Sequence, residues 1–285
     1  MLFDMVRHLV EPAEKLASAG ASLDKVLVPL RQLSLDDFGR LLFSMPSLQY
    51  PGLSNVLPAM ASEEMQKKYT GSHGQESLKR TLPFVRQLEN TWTRYSGKKL
   101  SGETILDFGS GYGRMIRMMY YYTGSKNIWG LDVSDEALKL CKDAGVEAMF
   151  AKSNPVPESL PTGDVKFDLA YTLSVFTHLA PQSAEASLNA IRAAMNHNGI
   201  LVATIRPIES WTYLDQLNGT NDAAKLIKDF KETGFAYVPH GGEMGKTYGN
   251  ASIAPSFFTN RGWKMLAYDN YIADPLQISL ILQKN

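Results

Sequence analysis

Cysteine is almost missing from this sequence. A single thiol, Cys141, stands among 285 residues, so no intrachain disulfide can form and a reducing compartment is the simplest setting. Long apolar runs are missing too. None approaches the roughly 20 residues that cross a bilayer. The opening stretch MLFDMVRHLVEPAEKL is interrupted by Asp4, Arg7 and Glu11, unlike a secretory leader. Both absences point to a cytoplasmic protein with no membrane partner. A charge surplus is the third absence, since Lys+Arg and Asp+Glu are both 29. Nucleic-acid binders usually carry a basic excess, so the balance argues against such a partner. Metal-ligand spacing is the fourth. His8, His73, His197 and His240 are scattered, and no metal is expected.

What is present is ordinary for a globular chain, with 44% hydrophobic and 20% charged residues. Residues 1 to about 95 read as helices and loops. Ser34 and Ser62 are placed as N-caps, and Gly71 stops the helix after Ser62. SMPSLQYPGLSNVLPAM, with Pro46, Pro51, Gly52 and Pro58, reads as an irregular connection. Leu78, Leu82, Val85, Leu88 and Trp92 recur at helical spacing, with Pro83 as a kink or break. From Thr104 the pattern changes to strand–helix alternation. TILDF, NIWGLDV, EAMFA, FDLAYTLS and ILVATIR read as strands. GRMIRMMYYY, SDEALKLCKDAG and a segment capped by Ser183 and ended near Gly199 read as helices. This alternation implies a parallel sheet. A less regular stretch over about 208–260 contains one helix, NDAAKLIKDFKETG, and a glycine-rich loop. WKMLAYD and QISLILQKN close the chain as strands. The organisation expected is an N-terminal helical extension or lid over 1–95, and one catalytic domain over 96–285 with an insertion at about 208–260.

ILDFGSGYGRMIR, Ile105 to Arg117, places Gly109, Gly111 and Gly113 between a strand and a helix. Such a turn lets backbone approach a ligand and aims unpaired N–H groups at anionic parts of it. The dinucleotide fingerprint G-x-G-x-x-G would need glycine at 114, where Arg114 stands. The observed D-x-G-x-G-x-G, starting at Asp107, resembles motif I of the class I S-adenosylmethionine-dependent methyltransferases. IWGLDVSDEALKLC resembles that family's second strand and following helix. FDLAYTLSVFTHL resembles its fourth strand, HNGILVATIR its fifth, and the C-terminal runs its closing pair.

The resemblance implies a Rossmann-like α/β fold with a mostly parallel seven-stranded sheet and helices on both faces. It implies S-adenosyl-L-methionine as methyl donor, S-adenosyl-L-homocysteine as product, and a cofactor site at Asp107, Gly109, Ser110, Gly111, Gly113, Arg114, Asp132, Val133, Ser153, Asn154, Thr172, Leu173 and Ser174. Asp132 ends the second strand, where a carboxylate can accept from both ribose hydroxyls; Ser134 is the better helix cap. Asp107 holds the turn or approaches the methionine amino group. Arg114 pairs with the cofactor carboxylate or is solvated. Ser153 or Asn154 stands where the family often has an acid for the adenine amino group. Thr172, Leu173 and Ser174 fall where the family's backbone passes the sulfonium.

His178 is either a general base for an oxygen acceptor or a structural histidine at a helix start. Cys141 reads as core rather than nucleophile. Of Tyr120, Tyr121 and Tyr122, at least one should be exposed or meet the N-terminal layer. Acceptor specificity is assigned to KKYTGSHG, with Tyr69, Thr70 and Gly71 as cofactor cover, and to HGGEMGKTYGNAS; ordinary surface loops are the alternative. The function expected is methyl transfer to a small-molecule acceptor, at oxygen by preference. A non-catalytic cofactor-binding module and an NAD-type oxidoreductase are the alternatives.

Overall fold

The computed structural model describes residues 4–218, 222–270, 274 and 276–284. The chain divides into two compact units, Met1–Lys152 and Ser153–Asn285.

The first unit opens with six helices: α1 (Arg7–Ser18), α2 (Leu23–Leu30), α3 (Leu35–Phe43), α4 (Pro51–Val56), α5 (Glu63–Thr70) and α6 (Gly74–Ser96). Ser34 and Ser62 cap α3 and α5 by accepting from the N–H three residues on, at 3.1 and 3.3 Å. Gly71 ends α5 in the left-handed conformation. The apolar stripe Leu78, Leu82, Val85, Leu88 and Trp92 is buried, and α6 continues through Pro83. The stretch after Pro46 is not wholly irregular, because α4 lies in it. Pro51 starts that helix with φ already set. The Glu14 carboxylate, from α1, accepts the N–H groups of Gly52 (2.7 Å) and Leu53 (2.8 Å). A remote side chain thus satisfies donors that a local cap would otherwise take.

There follow β1 (Ile105–Phe108), α7 (Arg114–Met119), β2 (Ile128–Asp132), α8 (Asp135–Asp143) and β3 (Met149–Lys152), with strand order β3-β2-β1, all parallel. All four β1 residues are buried, as in a strand covered on both faces. Tyr120 is buried, Tyr121 gives its hydroxyl to Leu33 O (2.8 Å), and Tyr122 bonds the Glu89 carboxylate (2.9 Å). The tyrosine run therefore meets the N-terminal helices.

The second unit holds β4 (Phe167–Thr172), α9 (Pro181–Ala194), β5 (Met195–Ile205), α10 (Ser210–Asn218), α11 (Ala223–Thr233), β6 (Phe235–Pro239), β7 (Gly249–Ile253), α12 (Pro255–Thr259), β8 (Trp263–Asn270) and β9 (Ile278–Lys284). Strands β4-β5-β9-β8 are adjacent in that order; β5 is parallel to β4 and antiparallel to β9, and β8 and β9 are antiparallel. Ser183 is not the cap of α9. Pro181 occupies the first turn, two residues earlier, and the helix stops at Ala194 because Met195 already pairs with Phe167. The stretch after 208 is more regular than expected. Trp211, Leu226 and Ala236 bury a small core of its own, with Phe230 and Val238 packed on it, and β6-β7 is an antiparallel pair.

The architecture is the mostly parallel, seven-stranded Rossmann-like α/β fold expected. Among the described residues no helix is long and apolar enough to cross a membrane.

Candidate functional site

In the first unit the chain leaves β1 and turns through Gly109, Gly111 and Gly113, all at positive φ (87°, 53° and 75°). Gly109 and Ser110 both donate to the Leu131 carbonyl of β2, at 2.7 and 3.0 Å. Gly113 is the left-handed N-cap of α7. A Cβ there would sit 3.2 Å from Cys141 Sγ and 3.3 Å from Val146. The loop carbonyls are held from beneath. Cys141 Sγ–H donates to Gly111 O (3.2 Å), and Arg117 donates to Gly113 O (3.1 Å), Tyr112 O (3.3 Å) and Ala59 O (3.1 Å). Arg117 is fully buried, and burial lowers its pKa from the ordinary value. Burial also pushes the Cys141 thiol up to about 12, which removes it as a nucleophile.

Asp132 closes the loop from the side. Its Oδ2 accepts the Gly111 N–H (2.8 Å) and its Oδ1 the Ser134 N–H (2.9 Å). Burial raises its pKa, and the N–H bonds from Ser134, Gly111 and Val133 oppose that. Each oxygen keeps a further lone pair for another donor. Helix capping falls to Ser134, whose Oγ accepts from Ala137 N–H (3.2 Å). Asp107 is buried in β1, and Ser110 Oγ is buried with no hydrogen-bond partner among the described residues. Val133 is exposed.

Tyr69 lies against the loop; a Cβ on Gly111 would be 3.5 Å from its ring. Its hydroxyl donates to Glu136 (3.3 Å), which also pairs with Lys68 (2.7 Å). Thr70 and Gly71 serve the end of α5 instead: Thr70 Oγ1 lies 2.8 Å from Gln66 O and 3.0 Å from Ser72 O. Arg114 gives one N–H to Thr81 Oγ1 of α6 (3.1 Å), which commits part of its guanidinium and leaves further donors.

In the second unit Ser153 is buried, with its hydroxyl turned to Asn154 O (3.3 Å), and Asn154 is exposed. Thr204 Oγ1 ties the end of β4 to β5, donating to Thr172 O (3.3 Å) and accepting the Ser174 N–H (2.7 Å). Ser174 is left-handed at φ 59°, a conformation costing a non-glycine residue about 1 kcal/mol. Leu173 lies half-buried between them. His178 is clasped by β7: Gly249 N–H donates to His178 O (2.8 Å), and His178 Nδ1 lies 2.7 Å from Gly249 O. A carbonyl only accepts, so Nδ1 carries the proton and Nε2 the lone pair. The ring stacks on Tyr248 at 5.0 Å, with His240 at 6.5 Å. Burial lowers the His178 pKa to about 4; the Gly249 bond opposes this, and Arg206 and His240 add to it. No group of three or more metal-ligating side chains gathers among the described residues.

Residues 105–199 match the family model described as a methyltransferase domain. Two solved structures share the fold: an S-adenosylmethionine-dependent methyltransferase from Clostridium acetobutylicum (14% identity, TM-score 0.51, 72% of this chain and 92% of that one) and the magnesium protoporphyrin IX methyltransferase of Synechocystis with bound S-adenosylhomocysteine (14%, 0.51, 78% and 94%). Residues 105–199 thus match a methyltransferase domain, and the chain shares its fold with S-adenosylmethionine-dependent methyltransferases.

Within the first unit, Gly111, Asp132 and Tyr69 meet directly. Within the second, His178 meets Tyr248 and His240 of the glycine-rich stretch. Reading the sequence missed Arg117 and Arg206. Arg117's only local signal is a cation in the apolar run MIRMM, and Arg206's is its place just past β5.

Proposed function

We propose that this enzyme transfers a methyl group from S-adenosylmethionine to an oxygen of a small-molecule acceptor. The observation that carries the reading is the Gly111–Asp132 clasp inside a glycine loop whose carbonyls are tied down from below. The residues fit a nucleoside. Asp132 keeps lone pairs for ribose hydroxyls, and the buried Ser110 Oγ awaits a partner. Asp107, Gly109, Gly113, Arg114 and Val133 would complete the cofactor's first wall. Ser153, Asn154, Thr172, Leu173 and Ser174 are assigned to its adenine and methionine portions, and Tyr69, with Thr70 and Gly71 behind it, to its cover. When bound, the cofactor supplies an electrophilic methyl on a sulfonium.

The chain's own task is then positioning and proton removal. His178 is neutral near pH 7, and its Nε2 is the basic nitrogen, so it is in the form a general base requires. A base this weak suits an acidic hydroxyl such as a phenol, whose pKa is about 10. The balanced charge favours a small acceptor over nucleic acid, and the single buried thiol favours a cytoplasmic setting.

Labelled S-adenosylmethionine incubated with the enzyme and a cell extract should yield a labelled small molecule by mass spectrometry. His178→Ala should lower kcat on that acceptor while S-adenosylhomocysteine binds as before. Unchanged kcat would remove His178 from the chemistry. Bound cofactor without turnover on any acceptor would leave a binding module.

A further inference from the structure

The C-terminal ends of β4, β5 and the start of β9 converge in the second unit, the kind of sheet edge at which α/β proteins receive ligands. Ser174 N–H bonds Thr204 near the end of β5. Ile205 pairs with Ile278 at the start of β9. Gln277 Nε2 donates to Ser174 Oγ (2.7 Å) and to Asp274 Oδ2 (2.9 Å). Arg206 follows directly on β5. Its Nε–H is buried with no hydrogen-bond partner among the described residues, and the same holds for Gln277 Oε1. A buried guanidinium donor without an acceptor is costly, and it is satisfied by a ligand that brings oxygen atoms.

We infer that Arg206 receives a carboxylate of the methyl acceptor. This rests on the methyl-transfer reading above and names its acceptor class: a carboxylate-bearing molecule whose hydroxyl is methylated. The guanidinium fork matches a planar carboxylate through two parallel N–H donors. The other polar groups around it fit a single negative charge. Asp274 and Tyr248 act electrostatically on Arg206, so Asp274 already offsets part of its charge and would repel a doubly charged phosphate. Burial and the nearby Arg206 both disfavour protonation of His178, so it adds no second cation. Gln277 Oε1 remains for a donor on the acceptor. In the transfer, the C–S bond breaks with its electron pair left on sulfur, an acceptor hydroxyl oxygen forms the new O–C bond, and its proton passes to His178 Nε2.

The test is titration of benzoate and its neutral isostere benzamide, followed by NMR, against the full chain and its Arg206→Gln and Arg206→Lys variants. Benzoate should bind saturably to the wild type about tenfold or more tighter than benzamide. R206Q should abolish that preference, and R206K, which keeps the charge without the fork, should retain part of it. Melting curves and S-adenosylhomocysteine affinity should match wild type for at least one variant. Equal binding of the two probes, no saturable binding of either, or an undiminished preference in R206Q would overturn the assignment. Loss of benzoate in R206Q from a protein that never binds S-adenosylhomocysteine would keep the carboxylate site and sink only the methyl-donor reading.

Discussion

At the scale of single residues, the chemistry turns on groups whose lone pairs and protons are already assigned. Asp132 uses one lone pair of each oxygen on backbone N–H groups. Asp132→Ala removes both the loop clasp and the ribose acceptor, so S-adenosylhomocysteine affinity should fall by about 100-fold, the scale of two charged hydrogen bonds. An affinity within a factor of about two of wild type would place the ribose elsewhere. His178 gives a sign-defined prediction. Its folded pKa lies below the ordinary 6.5, at about 4, so the neutral form persists as pH falls through the ordinary value. The acid limb of kcat/KM should therefore lie near pH 4, and a limb near 6.5 carried by His178 would contradict the buried, Nδ1-protonated ring. Cys141 should resist thiol reagents until the chain unfolds; rapid labelling of the native protein would show that its thiol is not held beneath the loop. Residue roles were legible where the partner is local, as with the caps Ser34, Ser62 and Ser134. They were not legible where the partner is far along the chain. Arg117 reaches Ala59, 58 residues away, and Glu14 reaches Gly52, 38 away.

At the scale of elements, the glycine turn and α7 behave as one piece, because Arg117 of the helix holds the carbonyls of the turn that starts it. Gly113→Ala forces an alanine into the left-handed region and brings its Cβ to 3.2 Å from Cys141 Sγ. The expected loss is about 1–2 kcal/mol in denaturant unfolding, together with weaker cofactor binding. An unfolding midpoint matching wild type would mean that the turn relaxes freely. Proline was the residue whose meaning the sequence left ambiguous. Pro51 and Pro181 start helices, and Pro83 sits inside one. Which role a proline takes depends on what satisfies the neighbouring N–H groups, and for α4 that is a carboxylate from another helix. The helix–strand boundary at Ala194–Met195 was hidden for a related reason. A strand partner, Phe167, decides it against local helix propensity.

At the scale of the molecule, the strand–helix alternation from Thr104 onward disclosed the fold class, because buried parallel strands and amphipathic helices leave different periods in the sequence. The small β6-β7 pair was not legible. Its core depends on Trp211, Leu226 and Ala236 meeting across separate segments, and no single stretch shows that. The methyl-donor site is the claim on which the acceptor chemistry depends. The direct measurement is calorimetry of the full chain against S-adenosylhomocysteine and, separately, NADH. Binding of S-adenosylhomocysteine at one site per chain, weakened by Asp132→Ala and accompanied by no heat from NADH, is the expected result. Binding of NADH with none of S-adenosylhomocysteine would contradict it.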